Sequence, residues 1–116
     1  MKLYGHPNSR ATRALWALEE VEAEYEYVHV DLKTGQGRID SYLAINPAGK
    51  VPTLVDGDLV ITESAAICLY LGDKFPESGL VPPIGSTERA ECYRWVSFAI
   101  SKLPRRKRRG FQNLKT

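Results

Sequence analysis

Three short stretches put groups capable of chemistry at the ends of regular elements. Ser9 opens a helical pattern, SRATRALWALEEV, where its oxygen can accept one of the first-turn N–H groups that a helix leaves unpaired. Glu63-Ser64 stands directly before the apolar run AAICLYL. Free N–H groups and the helix dipole at such a position favour a carboxylate ligand, and Glu63 can accept from an ammonium group. Together they suit the zwitterionic end of an amino acid or peptide; the plainer reading is a helix cap beside a solvated glutamate. Val51-Pro52 is the third stretch. A cis bond there would turn the chain and leave the Val51 N–H and C=O free to pair with an extended peptide, as an added strand does. Trans is the ordinary X–Pro form.

The elements that must hold these residues follow in order along the chain. Lys2-Leu3-Tyr4 reads as a strand closed by Gly5, and His6-Pro7-Asn8 as a loop with an exposed histidine. The helix from Ser9 carries Ala11, Ala14, Leu15 and Leu18 on one face. Glu24 to Leu32 alternates as a half-buried strand, with His29 on its polar side. Thr34 to Gly37 is a loop and Arg38 to Ala44 a short helix. Asn46-Pro47-Ala48-Gly49 is a turn, Val51 to Val55 a strand, and Leu59 to Thr62 its return strand. Between them Asp56-Gly57-Asp58 signals a tight hairpin, because a D-G pair accepts the positive φ such turns require. Ser64 caps the helix that follows. The order is β-α-β-α-β-β-α, an α/β domain with a small sheet, parallel in its first half and antiparallel at the hairpin.

Phe75 to Gly85 holds three prolines and two glycines without a period and reads as a linker. Ser86-Thr87-Glu88 starts another helix, with Cys92, Trp95, Val96, Ala99 and Leu103 on one stripe, and the pattern fails at Pro104 before RRKRR. Residues 102–116 hold seven Lys/Arg and no acid, while the remainder holds nine basic and fourteen acidic residues. An acidic body and a basic, disordered tail are therefore separate surfaces. The tail has one aromatic, Phe111, and no recognition motif, which argues against a nucleic-acid partner. Cys68 and Cys92 are too far apart for a C-x-x-C pair, so neither a disulfide scaffold nor a metal site is expected; both read as small buried hydrophobes. Ala65 to Leu71 is the longest apolar run and too short to span a bilayer. With no secretory leader, a cytoplasmic setting is expected.

NPAGKVPTLVDGD followed by ES before a helix resembles the glutathione-binding half of the glutathione S-transferases. The order of the turn, the valine-proline pair, the D-G hairpin and the Glu-Ser pair is specific, although no single residue in it is. LYGHPNSRATRALWALEE is similar to the serine-type members from plants and bacteria. The resemblance covers nearly all of residues 1–101. It implies a thioredoxin-like domain over 1–76, a linker over 77–85, and over 86–103 the first helix of an incomplete all-α second domain, with the basic tail over 104–116.

The resemblance also implies that Pro52 is cis and that the Val51 backbone pairs with the cysteinyl part of glutathione. Glu63 and Ser64 would hold the γ-glutamyl end, and Lys50, with Arg38, would lie near the glycyl carboxylate. Ser9 would activate the thiol, with Tyr4 and Asn8 as the alternative groups. A free thiol has a pKa near 8.5, and a charge-assisted hydrogen bond of roughly 1.5–3 kcal/mol can lower it by one to two units. Glutathione enters as substrate with a small electrophile, no metal is called for, and the family's assembly is a homodimer. Serine where redox relatives place cysteine argues against disulfide chemistry, since a hydroxyl forms no mixed disulfide. A non-catalytic docking module of the same fold is the competing function.

Overall fold

The computed structural model describes residues 1–101. They fall into two compact units, one of Met1–Val81 and one beginning at Pro82. The basic tail over 104–116, together with Leu103 of the expected stripe, lies outside the described residues.

The first unit runs β1 (Lys2–Gly5), α1 (Ala11–Glu20), β2 (Glu26–His29), α2 (Asp40–Leu43), β3 (Thr53–Asp56), β4 (Leu59–Thr62) and α3 (Ser64–Lys74). The sheet order is β2-β1-β3-β4, with β2 parallel to β1 and β3 antiparallel to both β1 and β4. This is the α/β, thioredoxin-like order that the resemblance implies.

Side-chain alternation along β1 assigns the faces. Leu3 is fully buried and packs with Ala14, Leu18, Leu54, Ile67 and Leu71, so α1 and α3 share that face. Each leucine buried there contributes roughly 1.5–3 kcal/mol. Tyr4 points the other way and meets the Tyr42 ring of α2 at 5.6 Å. The glycine that closes β1 lets α1 approach: a Cβ on Gly5 would stand 2.8 Å from that of Ala11.

Strand directions fix where the helices begin. β4 runs with β1, since both are antiparallel to β3. α1 and α3 each return along the sheet after one of these strands, so they run parallel and start at the same end. That end also holds the entry to β3, because Tyr4 pairs with Thr53 and Thr53 with Thr62.

Several boundaries differ from those read off the sequence. β3 starts at Thr53, not Val51; Pro52 has no N–H to give a ladder. β2 ends at His29, where the Val30 N–H turns to the Gly5 carbonyl at 2.8 Å. The short helix is Asp40–Leu43, preceded by 3-10 turns at Leu32–Thr34 and Gln36–Arg38. The hairpin closes as expected, with Asp56 opposite Leu59 and Gly57 at φ 62°. After α3, Pro76–Ser78 forms a further 3-10 turn, and the Val81 methyls fill the place a Cβ on Gly72 would take, 2.5 Å away.

The second unit contains α4 (Thr87–Ser101). Ser86 caps it, its Oγ accepting from the Arg89 N–H at 3.0 Å. The Arg89 guanidinium donates to the Pro82 carbonyl at 3.0 Å, tying the entry segment to the first turn. Trp95 and Phe98 meet edge to face at 5.6 Å, and both are exposed. Cys68 and Cys92 are free and half-buried rather than buried. Among the described residues, no helix is long and apolar enough to cross a membrane.

Candidate functional site

The loop from β1 to α1 carries Ser9. Its hydroxyl donates to the His6 carbonyl at 2.5 Å and its oxygen accepts from the Ala11 N–H at 3.2 Å. The cap position of α1 is held by Arg10, in right-handed helical conformation and without a side-chain cap bond, so the helix begins one residue later than a Ser9 cap predicts. Asn8 adopts φ 62°, a left-handed conformation that asparagine tolerates better than most residues. His6 is not the free loop side chain expected. Its Nδ1–H donates to the Val30 carbonyl at 3.1 Å, and its ring stacks on His29 at 5.5 Å.

The turn into β3 is held by a buried polar cluster. Tyr42 Oη donates to the Lys50 carbonyl at 2.5 Å and lies 2.8 Å from Thr53 Oγ1. Asn46 Nδ2 donates to the same two oxygens, at 2.9 and 3.2 Å. Tyr42, Asn46 and Thr53 are all buried, where a hydrogen-bonded network rigidifies its surroundings. It fixes the backbone on both sides of Val51-Pro52, and that bond is cis. Among the described residues, nothing hydrogen-bonds to the Val51 N–H or C=O. Sequence reasoning saw Asn46 only as a turn residue. Its Oδ1 does accept from the Ala48 N–H at 3.1 Å, but its amide also folds back onto Lys50 and Thr53, which the turn signal alone does not report.

Lys50 and Arg38 arrive on adjoining loops. Gly37 and Gly49 pack backbone to backbone, each with its carbonyl oxygen 2.6 Å from where the other's Cβ would stand. Arg38 Nη1 lies 3.5 Å from that Gly49 position. Both cations are exposed, and neither has a carboxylate partner among the described residues.

Glu63 and Ser64 exchange the roles read from the sequence. Ser64 is the first residue of α3, buried, and Glu63 holds the cap position at φ 74°, ψ 118° without a side-chain cap bond. That backbone conformation costs a glutamate on the order of 1–3 kcal/mol. The first α3 amide with a helical partner is that of Ile67, which donates to Glu63 O at 3.0 Å. The N–H groups of Ser64, Ala65 and Ala66 have none in the helix, and the exposed Glu63 directly precedes them. By contrast, the first-turn amides of α1 are occupied: those of Ala11 and Thr12 by Ser9, and that of Arg13 by Arg10.

Tyr4 stands apart, on the α2 face, where it lines an open groove of about 440 Å³ with Met1, Ile45, Val55 and Val60. On the α1–α3 face, burial pushes the Cys68 thiol pKa up, against the pull of the Arg13 charge. Among the described residues, no cluster of three or more His, Cys, Asp or Glu could hold a metal ion.

A thioredoxin-like sheet thus brings the unbonded Val51 backbone and the open first turn of α3 to one end. The chain belongs to the glutathione S-transferase family: the profile described as "Glutathione S-transferase, N-terminal domain" matches residues 1–73. Glutathione S-transferase 1 of Dianthus caryophyllus is 45% identical over 104 residues, 89% of this chain and 47% of that protein. Glutathione S-transferase F6 of Arabidopsis thaliana is 45% identical over 80 residues, 68% of this chain and 38% of that protein. Among solved structures, a sphingomonad glutathione S-transferase complexed with glutathione is similar at TM-score 0.78 and 38% identity, covering 88% of this chain and 52% of that one. A glutathione transferase homologue from Sulfitobacter with bound glutathione has TM-score 0.77 and 34% identity, covering 86% and 48%. The chain thus spans about half the length of such relatives or less, and α4 corresponds to the start of their helical domain.

Proposed function

We propose that this chain supplies the glutathione site of a transferase that joins glutathione to small electrophiles. The observation that carries the reading is the meeting, at one end of the sheet, of Ser9, the unbonded Val51 backbone and the free first-turn amides of α3. Val51 pairs its N–H and C=O with the cysteinyl residue, as an added strand would. The γ-glutamyl carboxylate sits on the α3 N-terminus and the Ser64 hydroxyl, and its ammonium on Glu63. Lys50 and Arg38 take the glycyl carboxylate.

In that pose the thiol lies toward Ser9. The Ser9 O–H turns from the His6 carbonyl to the sulfur and stabilises the thiolate. The thiol proton passes to water, and the thiolate is the nucleophile. It forms a bond to an electrophilic carbon, held largely by the helical domain that α4 begins, as a leaving group departs with its electron pair or a conjugated π pair shifts away from that carbon. The active protein is proposed to be a cytoplasmic homodimer. A thermal unfolding series in glutathione tests the reading. At about 100 times the Kd, binding adds roughly 2.7 kcal/mol of stability. A midpoint that does not move with glutathione would favour a docking role.

A further inference from the structure

We propose that Arg10 is a further ligand-facing residue of this site: its guanidinium, at the mouth of the seam between α1 and α3, stabilises the thiolate of bound glutathione by its charge. The inference rests on the function proposed above.

Four observations support it. Arg10 immediately follows Ser9, and its backbone is fixed, with helical φ −66° and a carbonyl that accepts from the Arg13 N–H at 3.1 Å. Its side chain is exposed and has no carboxylate partner among the described residues. The seam itself has a known register. The Cys68 thiol donates to the Arg13 carbonyl at 3.8 Å, so Arg13 lies alongside α3 one turn beyond its start. Residues three or four apart share a helix face. Stepping back one turn on each of two parallel helices sets Arg10 opposite Ser64, with Ser9 beside it. The Arg13 charge is already felt across the seam at Cys68.

Charge is also unevenly spread along the domain. Glu19, Glu20, Glu22, Glu24 and Glu26 sit at the far end of α1 and the entry to β2, whereas Arg10, Arg13, Arg38 and Lys50 lie toward the site end, together with the acids Asp31, Asp40 and Glu63. The other titratable or charged groups around the mouth are Glu63 and Arg13 and, across the Ser9 loop, His6 and His29. A cation without a local partner, next to the hydroxyl proposed to hold a thiolate, has that thiolate as its natural counter-ion.

The test compares the full chain with Arg10→Gln and Arg10→Lys, following thiolate absorbance of bound glutathione against pH at about 20 mM and about 0.5 M salt. The expected result is a bound-thiol pKa raised by roughly half a unit in Arg10→Gln at low salt. The two proteins should converge at high salt, and Arg10→Lys should keep the unsubstituted value. Equal pKa values at low salt overturn the proposal. So does an offset that ignores salt, which would mark a displaced Ser9 loop. If the unsubstituted chain binds no glutathione, or leaves the thiol as in free glutathione, the underlying function fails, and the role of Arg10 with it.

Discussion

The Ser9 hydroxyl donates to the His6 carbonyl at 2.5 Å, so its single proton is already engaged. Donation to a sulfur therefore replaces one hydrogen bond with another. A charge-assisted bond of roughly 1.5–3 kcal/mol displaces a neutral one of about 1 kcal/mol, leaving about one pKa unit of net activation. Ser9→Ala should raise the bound-thiol pKa by about that amount. It should also cost about 1 kcal/mol of stability, since Ser9 Oγ accepts from the Ala11 N–H. Thiolate absorbance and denaturant unfolding check the two parts. An unchanged thiol pKa would move the role to Asn8, on the same loop.

Glu63 is held at φ 74°, ψ 118°, a region closed to most side chains. Alanine removes the carboxylate and keeps the strain, whereas glycine removes both. Glu63→Gly should therefore be more stable than Glu63→Ala by about 1 kcal/mol, reversing the usual order for these residues. Both should bind glutathione more weakly than the unsubstituted chain. If alanine proves the more stable, the strain at this position is not real.

The Tyr42 hydroxyl joins the Lys50 carbonyl to Thr53 in a buried setting. Tyr42→Phe leaves both partners short of a bond and should cost about 1–3 kcal/mol. Glutathione affinity should fall with it, because Lys50 is the residue before Val51. Calorimetric titration of the folded variant reads the second effect, and unchanged affinity would detach the cluster from the site.

The order of elements and the hairpin were legible because their signals are local: the alternation from Glu24 to Leu32, the apolar stripe of α1, and a D-G turn. The backbone of Glu63 was not, because glycine and asparagine are the residues that advertise positive φ in a sequence, and a glutamate does not. The buried cluster was hidden for another reason. A tyrosine in a four-residue helix and a threonine in a strand are ordinary residues until the chain folds them together. Ser9 and Ser64 were rightly sited at helix starts, but the detail of who caps is settled by the turn geometry of Arg10 and Glu63.

Gly37 and Gly49 stand so close that a Cβ on either would lie 2.6 Å from the other's carbonyl oxygen. Gly37→Ala should force the two loops apart and cost about 1–3 kcal/mol. Arg38 and Lys50 sit next to these glycines, so glutathione should bind more weakly, and a glutathione analogue lacking the glycyl carboxylate should lose less. Equal losses for both ligands would show that the loops matter only for folding.

Asp56 accepts from the Tyr70 hydroxyl at 2.5 Å and pairs with Lys74 Nζ at 2.9 Å. Tyr70, then Lys74, hold its carboxyl pKa below the usual carboxylate value. The resulting stability is present above about pH 4 and disappears as pH falls through the lowered folded-state value. Asp56→Asn should thus be less stable by about 1 kcal/mol at neutral pH. The difference should hold down to about pH 4 and shrink below it. Unfolding curves across that range check the sign, and a difference already lost at pH 6 would point to another group.

The segment beyond α3 sets the shortest length at which this domain can stand alone. Val81 occupies the hollow left by the missing Cβ of Gly72, and Phe75 and Leu80 lean on the core around Leu71. A fragment cut back to the 73 residues that match the family profile would present all three places to water. It should be prone to self-association, whereas one ending just after Val81 should remain monodisperse.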